Sequence, residues 1–282
     1  MVRVLSTALL AFCVLTSSAF AQASKIFVAS TGNDTNDGSR QASKRSFQSA
    51  HDAVAAGGGI VVLDTAGYGA VTITKSVGVV VPPGVNGFVT VTTANTNGIT
   101  INAGTSDVVA LRGLIVEGTG LDGYGNGIYA TSVGTLLIDD TIVRNFNEGI
   151  YVFSSTTTQL VVQGGAVRNT RYGIDVEDNA SNMYVSAQIT ETTLTGNTVA
   201  FLSITHSSGS TTRLVATRCV ASANGYVFSV QSAGAQNVVD GCSITGNSQV
   251  FNAVNATNYS RGNNTIYNNT IFGPTSTTLA GQ

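Results

Sequence analysis

The sequence is poor in charge and in helix-forming residues, and it contains no tryptophan. Only 10% of its 282 residues are charged, and the formal net charge is −2. The sequence has no basic patch, so nucleic acid is excluded as a partner. Glutamate, lysine and leucine are scarce, which argues against a helical protein. The lack of tryptophan removes the commonest aromatic platform for sugars, although nine tyrosines remain.

The first 21 residues have the composition of a secretory signal peptide. Arg3 precedes a short apolar run, and Ala19-Phe20-Ala21 fits the small-residue cleavage pattern. This run is shorter than the roughly 20 residues that cross a bilayer, and no later segment is long enough either. We therefore expect cleavage after Ala21 and a mature protein that is secreted or periplasmic, with no membrane span.

Threonine, serine, asparagine, glycine and valine dominate what remains, and this composition favours short strands separated by turns. Two phrases, TIVRNFNEGIYV at 141–152 and GAVRNTRYGIDV at 165–176, are near copies of each other. Alignment on their shared asparagine extends the repeat at intervals of 23 to 28 residues. The anchors of this alignment are Asn145, Asn169, Asn197, Asn224 and Asn247.

The columns around these anchors match over five repeats. Three positions before the anchors, every residue is apolar: Ile142, Ala166, Leu194, Ala221 and Ile244. A period of 20 to 30 residues without helical periodicity predicts a β-solenoid. Neighbouring turns of such a coil lie about 4.8 Å apart, so we expect the asparagines to form a ladder of hydrogen-bonded amides. Leucine-rich repeats need more leucine, and a β-sandwich does not predict matched columns.

Two parts of the chain carry a resemblance to known proteins. LLIDDTIVRNFNEGIYV and NVVDGCSITGN are similar to a turn consensus, and IFVASTGNDTNDGS followed by SFQSAHDAVAAGGGIVVL is similar to an N-terminal segment. Both resemble the right-handed parallel β-helix proteins of the pectate-lyase-like superfamily, over about residues 26–272. The resemblance implies an all-β fold, a single right-handed parallel β-helix with a short N-terminal capping helix.

This resemblance divides the chain into a signal peptide at 1–21, an N-terminal strand and capping helix at 22–58, a parallel β-helix at 59–272 and a tail at 273–282. The spacing of Phe47, Ala50 and Val54 favours a helix in the second segment. A cap is needed because an open coil end exposes apolar core and unpaired strand edges. We expect eight or nine turns, roughly 40 Å long.

The resemblance also implies polysaccharide chemistry of two kinds. The Asn-Thr-Asp, Gly-His-Gly and Arg-x-Lys motifs of polygalacturonase-like members are absent, and neither His51 nor His206 has a partner close in sequence. Pectate-lyase-like members use aspartates as Ca²⁺ ligands and an arginine as base. The corresponding metal candidates are Asp139, Asp140, Asp175 and Asp178, and the candidate bases are Arg168 and Arg171.

The same repeats supply candidate sugar-binding residues. Tyr129, Tyr151 and Asp175 are expected in one outward-facing column, and Arg171 would hold an anionic sugar. The alternative is a surface charge ladder without function, since exposed ion pairs contribute only about 0–1 kcal/mol. The residues alone leave both interpretations open.

Cys219 and Cys242 occupy one repeat position on adjacent turns, after Cys13 leaves with the signal peptide. Their Cα atoms are expected about 5 Å apart, which permits a disulfide. Stacked parallel side chains would strain its dihedral angle, however, so we predict a reduced, buried and unreactive pair.

The favoured function is non-catalytic binding of extracellular or cell-envelope polysaccharide. A Ca²⁺-dependent polysaccharide lyase is one alternative, and a structural surface protein or adhesin is another. A lyase should bind Ca²⁺ and form unsaturated products, whereas a binding protein should do neither. The sequence gives neither the glycan nor the oligomeric state.

Overall fold

A computed structural model describes residues 22–120, 125–273 and 277–278. The predicted signal peptide and most of the predicted tail lie outside these residues. The chain winds into a parallel β-solenoid of about eight turns, built from three parallel sheets that we call A, B and C. No helix in the described part of the chain is long and apolar enough to cross a membrane.

Each complete turn adds one strand to each sheet. Within the described residues, sheet A consists of β1 (Ala23–Val28), β2 (Val54–Val62), β5 (Val77–Val80), β8 (Val108–Arg112), β11 (Thr135–Asp139), β14 (Thr158–Gln163), β17 (Tyr184–Thr190), β20 (Thr211–Thr217), β23 (Ala235–Asp240), β26 (Thr257–Ser260) and β28 (Thr277–Thr278). Sheet B consists of β3 (Ala66–Gly67), β6 (Gly87–Val91), β9 (Leu114–Gly118), β12 (Ile142–Arg144), β15 (Ala166–Arg168), β18 (Thr193–Thr195), β21 (Val220–Ser222), β24 (Ser243–Thr245) and β27 (Thr265–Tyr267). Sheet C consists of β4 (Val71–Ile73), β7 (Ile99–Asn102), β10 (Asn126–Ser132), β13 (Glu148–Ser154), β16 (Tyr172–Asp178), β19 (Val199–Ile204), β22 (Tyr226–Gln231) and β25 (Gln249–Val254).

The N-terminal end of the coil is closed by the helix α1 (Phe47–Ala53), whose first turn is capped by Ser46. The Asp34 carboxylate accepts hydrogen bonds from the backbone N–H groups of Arg45 and Ser46, at 2.8 and 2.9 Å. Phe47 is buried in the core below the helix. The helix ends at Ala53, so β2 begins before the predicted boundary at residue 59.

One apolar core runs along the inside of the coil. In sheet B, Val143 lies in register with Val167, and Val167 with Leu194, and all three are buried. In sheet C, the rings of Phe201 and Phe228 stack with their centroids 4.8 Å apart. Fully burying a side chain of this size contributes about 1.5–3 kcal/mol, so repeated inward columns stabilise every turn.

The register corrects the sequence alignment by one residue in its first two repeats. Arg168 pairs with Thr195, so Asn169 lies beside Gly196 and not beside Asn197. Asn145 and Asn169 adopt the left-handed backbone conformation, with φ of 63° and 54°. Asparagine tolerates this conformation and also suits a ladder, so an alignment anchored on asparagine cannot separate the two positions.

The same one-residue offset changes which residues of sheet B face the core. Ile142 pairs with Ala166, and Ala166 with Thr193. All three are only partly buried, whereas the neighbouring Val143 is fully buried. Ile142 therefore lies on the outer side of sheet B, and Val143 fills the core.

The hydrogen-bonded ladder lies at the turn from sheet B to sheet C. It consists of Asn197, Asn224, Asn247 and Asn269, without Asn145 or Asn169. The Nδ2 of each of the first three donates to the Oδ1 of the next asparagine, at 3.0, 3.0 and 2.9 Å. The same oxygens accept backbone N–H groups of the preceding turn. The ladder therefore satisfies buried backbone groups at a turn where no strand pairing does so.

Cys219 and Cys242 are free, buried and stacked at the turn from sheet A to sheet B. The backbone N–H of Cys219 donates to the Sγ of Cys242 at 3.3 Å. The neighbouring Cys242 thiol, together with burial, raises the pKa of Cys219, which keeps the Cys219 thiol protonated. The pair is therefore part of the core.

Candidate functional site

Three buried carboxyl groups lie together on sheet C. Glu148 is at the start of β13, and Asp175 and Glu177 are on the neighbouring strand β16. Their exposed fractions are 9%, 3% and 7%. Burying an ionised carboxylate without partners is costly, so such a group requires donors, an opposite charge or a proton. We call these three residues the carboxyl cluster.

Strand alternation explains why two members of the cluster, Asp175 and Glu177, lie outside the apolar core. Ile150 and Ile174 are paired and face inward, so Tyr151 and its partner Asp175 face the outer side of the sheet. Two residues further along β16, Glu177 pairs with Phe153 and returns to the same outer side. An acidic residue at two successive outward positions therefore brings two carboxyl groups to one surface.

The members of the cluster contact one another. The carboxyl groups of Glu148 and Glu177 lie close enough to that of Asp175 to raise its pKa. Asp175 Oδ1 and Glu148 Oε2 are buried and have no hydrogen-bond partner. Carboxylates only accept hydrogen bonds, so two of them cannot stabilise each other. This environment therefore favours the protonated form of these groups.

The electrostatics of the cluster lead to the same result. Burial and the neighbouring Glu177 raise the pKa of Glu148 to about 8, against the opposing effect of Arg171. Burial and the two glutamates raise the pKa of Asp175 well above its usual range. Glu148 is therefore mainly protonated at neutral pH, and the protonated form of Asp175 is favoured in the same way. Perturbed carboxyl groups of this kind occur most often at functional sites.

Glu177 has a different environment from its neighbours. Its Oε2 accepts a hydrogen bond from the Tyr151 hydroxyl at 3.2 Å and lies 2.8 Å from His206 Nε2. Burial and the charge of Glu177 raise the pKa of Tyr151, so this hydroxyl remains a donor. The side chain of His206 is 46% exposed, so it is accessible from solvent. Glu177 is therefore the member of the cluster that has hydrogen-bonding partners on its outer side.

His206 was missed as a site residue because its partner lies one turn away. The loop that carries it is anchored by Asp178, whose carboxylate accepts the backbone N–H groups of His206 and Ser207 at 2.7 and 2.9 Å. The repeat could have indicated this contact, because Glu177 pairs with Ile204, two residues before the histidine.

Aromatic rings flank the cluster on its outer side. Tyr129 pairs with Tyr151 and Tyr151 with Asp175, as the repeat alignment predicts. The rings of Tyr129 and Tyr151 stack with their centroids 5.3 Å apart, and Tyr151 stacks on Phe153 at 5.8 Å. Because these faces contact one another, hydroxyl groups and ring edges border the cluster. Arg171 extends over the ring of Tyr172, 5.2 Å from its centroid, and influences Glu148 from there.

A separate groove of about 810 Å³ lies on the outer side of sheet A. One column of its floor runs through four neighbouring strands, β11, β14, β17 and β20, as Thr135, Gln159, Ser186 and Arg213. Tyr184, 43% exposed, lies at one side of it. None of the described lining residues is acidic. The groove therefore offers hydroxyl, amide and guanidinium groups along roughly 15 Å of the coil, at about 4.8 Å a turn. We call it the sheet A groove.

Among solved structures, the chain is similar to the pectate lyase Pel9A, with a TM-score of 0.68 and 16% identity over 92% of this chain and 73% of that one. The fold is the pectate-lyase-like right-handed parallel β-helix. The chain is also similar to a GH136 lacto-N-biosidase from Eubacterium ramulus, with a TM-score of 0.53 and 9% identity over 90% of this chain and 67% of that one. No family model matches the chain, and no curated protein is significantly similar to it. At these sequence identities the similarity concerns the fold, so the chemistry has to be argued from the residues.

The β-helix does not bring the predicted Ca²⁺ ligands together. Asp139 ends β11 of sheet A, where its carboxylate lies 3.2 Å from Arg112, and Asp140 forms the following turn with φ of 46°. Asp175 and Asp178 lie on sheet C. Within the described residues, no three or more His, Cys, Asp or Glu side chains are arranged to hold a metal ion. The four predicted aspartates are therefore divided between two sheets, because residues on neighbouring turns can lie on different sheets.

The candidate bases of the β-helix are also separated. Arg168 lies on sheet B, in register with Arg144 and Thr195, away from the carboxyl cluster. Its neighbour Arg144 forms an ion pair with Glu117 at 2.5 Å, which is the surface charge ladder considered from the sequence. Of the two arginines, only Arg171 influences a carboxyl group of the cluster.

Proposed function

We propose that this pectate-lyase-like β-helix is an exported protein that binds extracellular or cell-envelope polysaccharide along the sheet A groove. The observation that supports the proposal is the composition of that groove, an open channel of about 810 Å³ lined by hydroxyl, amide and guanidinium groups. The solved proteins of similar fold, a pectate lyase and a lacto-N-biosidase, are carbohydrate-active enzymes by name.

The groove suits a linear sugar chain because its columns repeat. Equivalent polar groups recur at about 4.8 Å along the coil, so a polymer with regularly spaced hydroxyl groups meets the same donors and acceptors on each turn. Gln159 and Ser186 supply neutral hydrogen bonds, and Arg213 supplies a charge-assisted one for a hydroxyl or an acidic substituent. The exposed ring of Tyr184 offers an apolar face to a sugar ring.

Binding without cleavage is the function that the groove itself supports. None of the described lining residues is a carboxylate, histidine or lysine, the groups that most often transfer the proton when a glycosidic bond is cleaved. The Ca²⁺-dependent lyase alternative loses its support because its candidate ligands lie on two sheets.

The proposal is tested by retention of the mature protein in native gels that contain soluble polygalacturonate, xylan, arabinogalactan or β-glucan. We expect at least one of these polysaccharides to retard the protein. Tyr184→Ala and Arg213→Ala should each weaken that interaction about tenfold, as loss of an anchoring contact does. The matched controls Tyr267→Ala and Arg261→Ala change exposed residues that do not line the groove and should bind like the parent.

Two results would contradict the proposal. Either no polysaccharide of the panel retards the protein, or the groove variants are retarded as strongly as their controls. Far-ultraviolet circular dichroism of every variant should show an unchanged β spectrum, so that a loss of binding reports the groove and not the fold.

A further inference from the structure

Two loops lead from the strands beside the carboxyl cluster on sheet C to the sheet A groove. Loop 179–183 follows β16, the strand that carries two members of the cluster, and it ends at Tyr184, which lines the groove. Loop 205–210 follows β19 and carries His206, and the next strand, β20, carries the groove residue Arg213. Each loop therefore connects the cluster to the groove over a few residues of the chain.

The two loops are hydrogen-bonded to each other. The hydroxyl group of Ser210 donates to the carbonyl of Ala180 at 2.8 Å and accepts the backbone N–H of Met183 at 3.1 Å. The backbone N–H of Thr211 donates to the carbonyl of Met183 at 2.9 Å. Because Met183 directly precedes Tyr184, a displacement of the second loop also changes the support of this groove residue.

Two acidic side chains of β16 hold loop 205–210. Asp178, which is fully buried, accepts the backbone N–H groups of His206 and Ser207 at 2.7 and 2.9 Å. Glu177 Oε2 lies 2.8 Å from Nε2 of His206, so it contacts the side chain of the loop. Of these two contacts, the one with Glu177 involves a member of the carboxyl cluster. This contact therefore responds to the charge of the cluster.

The two other members of the cluster carry unsatisfied oxygens next to Glu177. Asp175 Oδ1 and Glu148 Oε2 are buried without a hydrogen-bond partner, although buried polar atoms are nearly always hydrogen-bonded. Asp175 is 3% exposed. While both groups are protonated, they add no negative charge beside Glu177. Ionisation of either one brings like charges together in a buried site, which is unfavourable.

Few groups around the cluster can compensate such a charge. Burial and the charge of Glu177 raise the pKa of Tyr129 and Tyr151, so both hydroxyl groups stay neutral between pH 5 and 9. Arg171, above the ring of Tyr172, lowers the pKa of Glu148, but burial and Glu177 outweigh it. The strand β19 has no titratable side chain. The charged or titratable side chains of the other adjacent strands lie on the outer sides of sheets A and B: Arg144, Arg168, Tyr184 and Arg213.

We propose that the carboxyl cluster is a pH-sensitive switch that regulates polysaccharide binding in the sheet A groove. With the cluster protonated, Glu177 holds His206, and the two loops keep the groove in its binding arrangement. When Glu148 and Asp175 ionise, they repel Glu177, its contact with His206 is lost and loop 205–210 is released. The regulated ligand rests on the proposed function, whereas the switch rests on the contacts of the cluster and the loops.

The switch operates between neutral and weakly alkaline pH. Burial and the neighbouring Glu177 raise the pKa of Glu148 to about 8 and raise the pKa of Asp175 in the same direction. The cluster is therefore protonated at pH 5 and ionises as the pH rises through 8. The described lining of the groove has no carboxylate, histidine or lysine that would titrate in this range. A change of affinity between pH 5 and 9 therefore reports the cluster.

The test is the affinity of the mature protein for the same four polysaccharides, measured in native gels at pH 5, 7 and 9. The parent should bind about fivefold or more weakly at pH 9 than at pH 5, a usual size for coupling between two sites. The double variant Glu148→Gln with Asp175→Asn cannot ionise at these positions and should bind equally at all three pH values. His206→Ala removes the contact with Glu177 and should bind weakly at every pH. General damage to the fold would not move the two variants in opposite directions.

Hydrogen exchange reports the loop in the absence of a polysaccharide. The backbone N–H groups of His206 and Ser207 donate to Asp178, so their protection factors measure opening of the loop. These factors, corrected for the intrinsic effect of pH on exchange, should fall between pH 5 and 9 in the parent and stay constant in the double variant. Glu191→Gln, an exposed carboxylate outside the cluster, is the matched control and should follow the parent in both measurements.

The switch is overturned if the protection factors of the parent do not fall between pH 5 and 9, or if the double variant responds to pH as the parent does. It is also overturned if the loop opens while a polysaccharide is bound equally at pH 5 and 9, a result that leaves the groove intact. If no polysaccharide retards the parent at any pH, the proposed function fails. Hydrogen exchange then decides by itself whether the cluster controls the loop. Far-ultraviolet circular dichroism at each pH checks that the coil is folded.

Discussion

The carboxyl cluster should make the folded protein less stable as the pH rises. Folding raises the pKa of Glu148 from 4.5 to about 8. A group whose pKa is raised by folding contributes its full stability below the unfolded pKa, and this contribution is lost as the pH rises through the folded pKa. Each tenfold change in proton affinity corresponds to about 1.4 kcal/mol. The contribution of Glu148 should therefore lower the free energy of unfolding by about 5 kcal/mol as the pH rises from 4.5 to 8.

The perturbation that isolates this effect is Glu148→Gln. Glutamine keeps the size of the side chain and cannot ionise, so the variant should lose less stability than the parent between pH 5 and 9. Asp175 remains and acts in the same direction, so a residual decline should persist in this variant. The double variant with Asp175→Asn should be nearly independent of pH over this range, apart from the other titrating groups.

Urea unfolding at pH 5, 7 and 9, followed by far-ultraviolet circular dichroism, measures the effect. The midpoint of the parent should fall with pH, and the midpoint of Glu148→Gln should fall less. A parent whose midpoint is constant from pH 5 to 9 would show that Glu148 ionises freely in the folded protein. The exposed control Glu191→Gln should follow the parent at every pH.

Two further predictions concern the coil. Val143→Asp places an unpaired charge in the core and should lower the free energy of unfolding by about 3 kcal/mol or more, whereas Ile142→Asp, on the outer side of sheet B, should change it by less than about 1 kcal/mol. Equal urea midpoints for the two variants would refute the register. Asn224→Ala removes the acceptor of the Asn197 side chain and backbone and should lower the free energy of unfolding by about 2–4 kcal/mol. A melting temperature within 1–2 °C of the parent's, roughly the resolution of the experiment, would show that the ladder is not stabilising.

The solenoid fold can be predicted from the sequence alone. An inward side chain packs on its equivalent one turn away, so the apolar columns must recur at the length of a turn, and that recurrence is visible without coordinates. The pairing of Tyr129 with Tyr151 and of Tyr151 with Asp175 followed from it. So did the stacking of Cys219 on Cys242, because both residues keep the same offset from a turn.

The register of the repeats and the grouping of the carboxyl groups depend on the tertiary structure. Asparagine is suited both to the left-handed turn position of Asn169 and to the buried ladder position of Asn197. The residue type alone therefore does not distinguish these two positions. The contacts of Glu177 depend on the cross-section of the coil, in which three sheets point in different directions and loops of unequal length separate the turns. His206 thus reaches Glu177 across 29 residues of sequence, while Asp139 and Asp175, on neighbouring turns, lie on different sheets. The repeat determines which residues stack on one another along the axis of the solenoid. Contacts between side chains at different positions around the cross-section depend on how the turns pack.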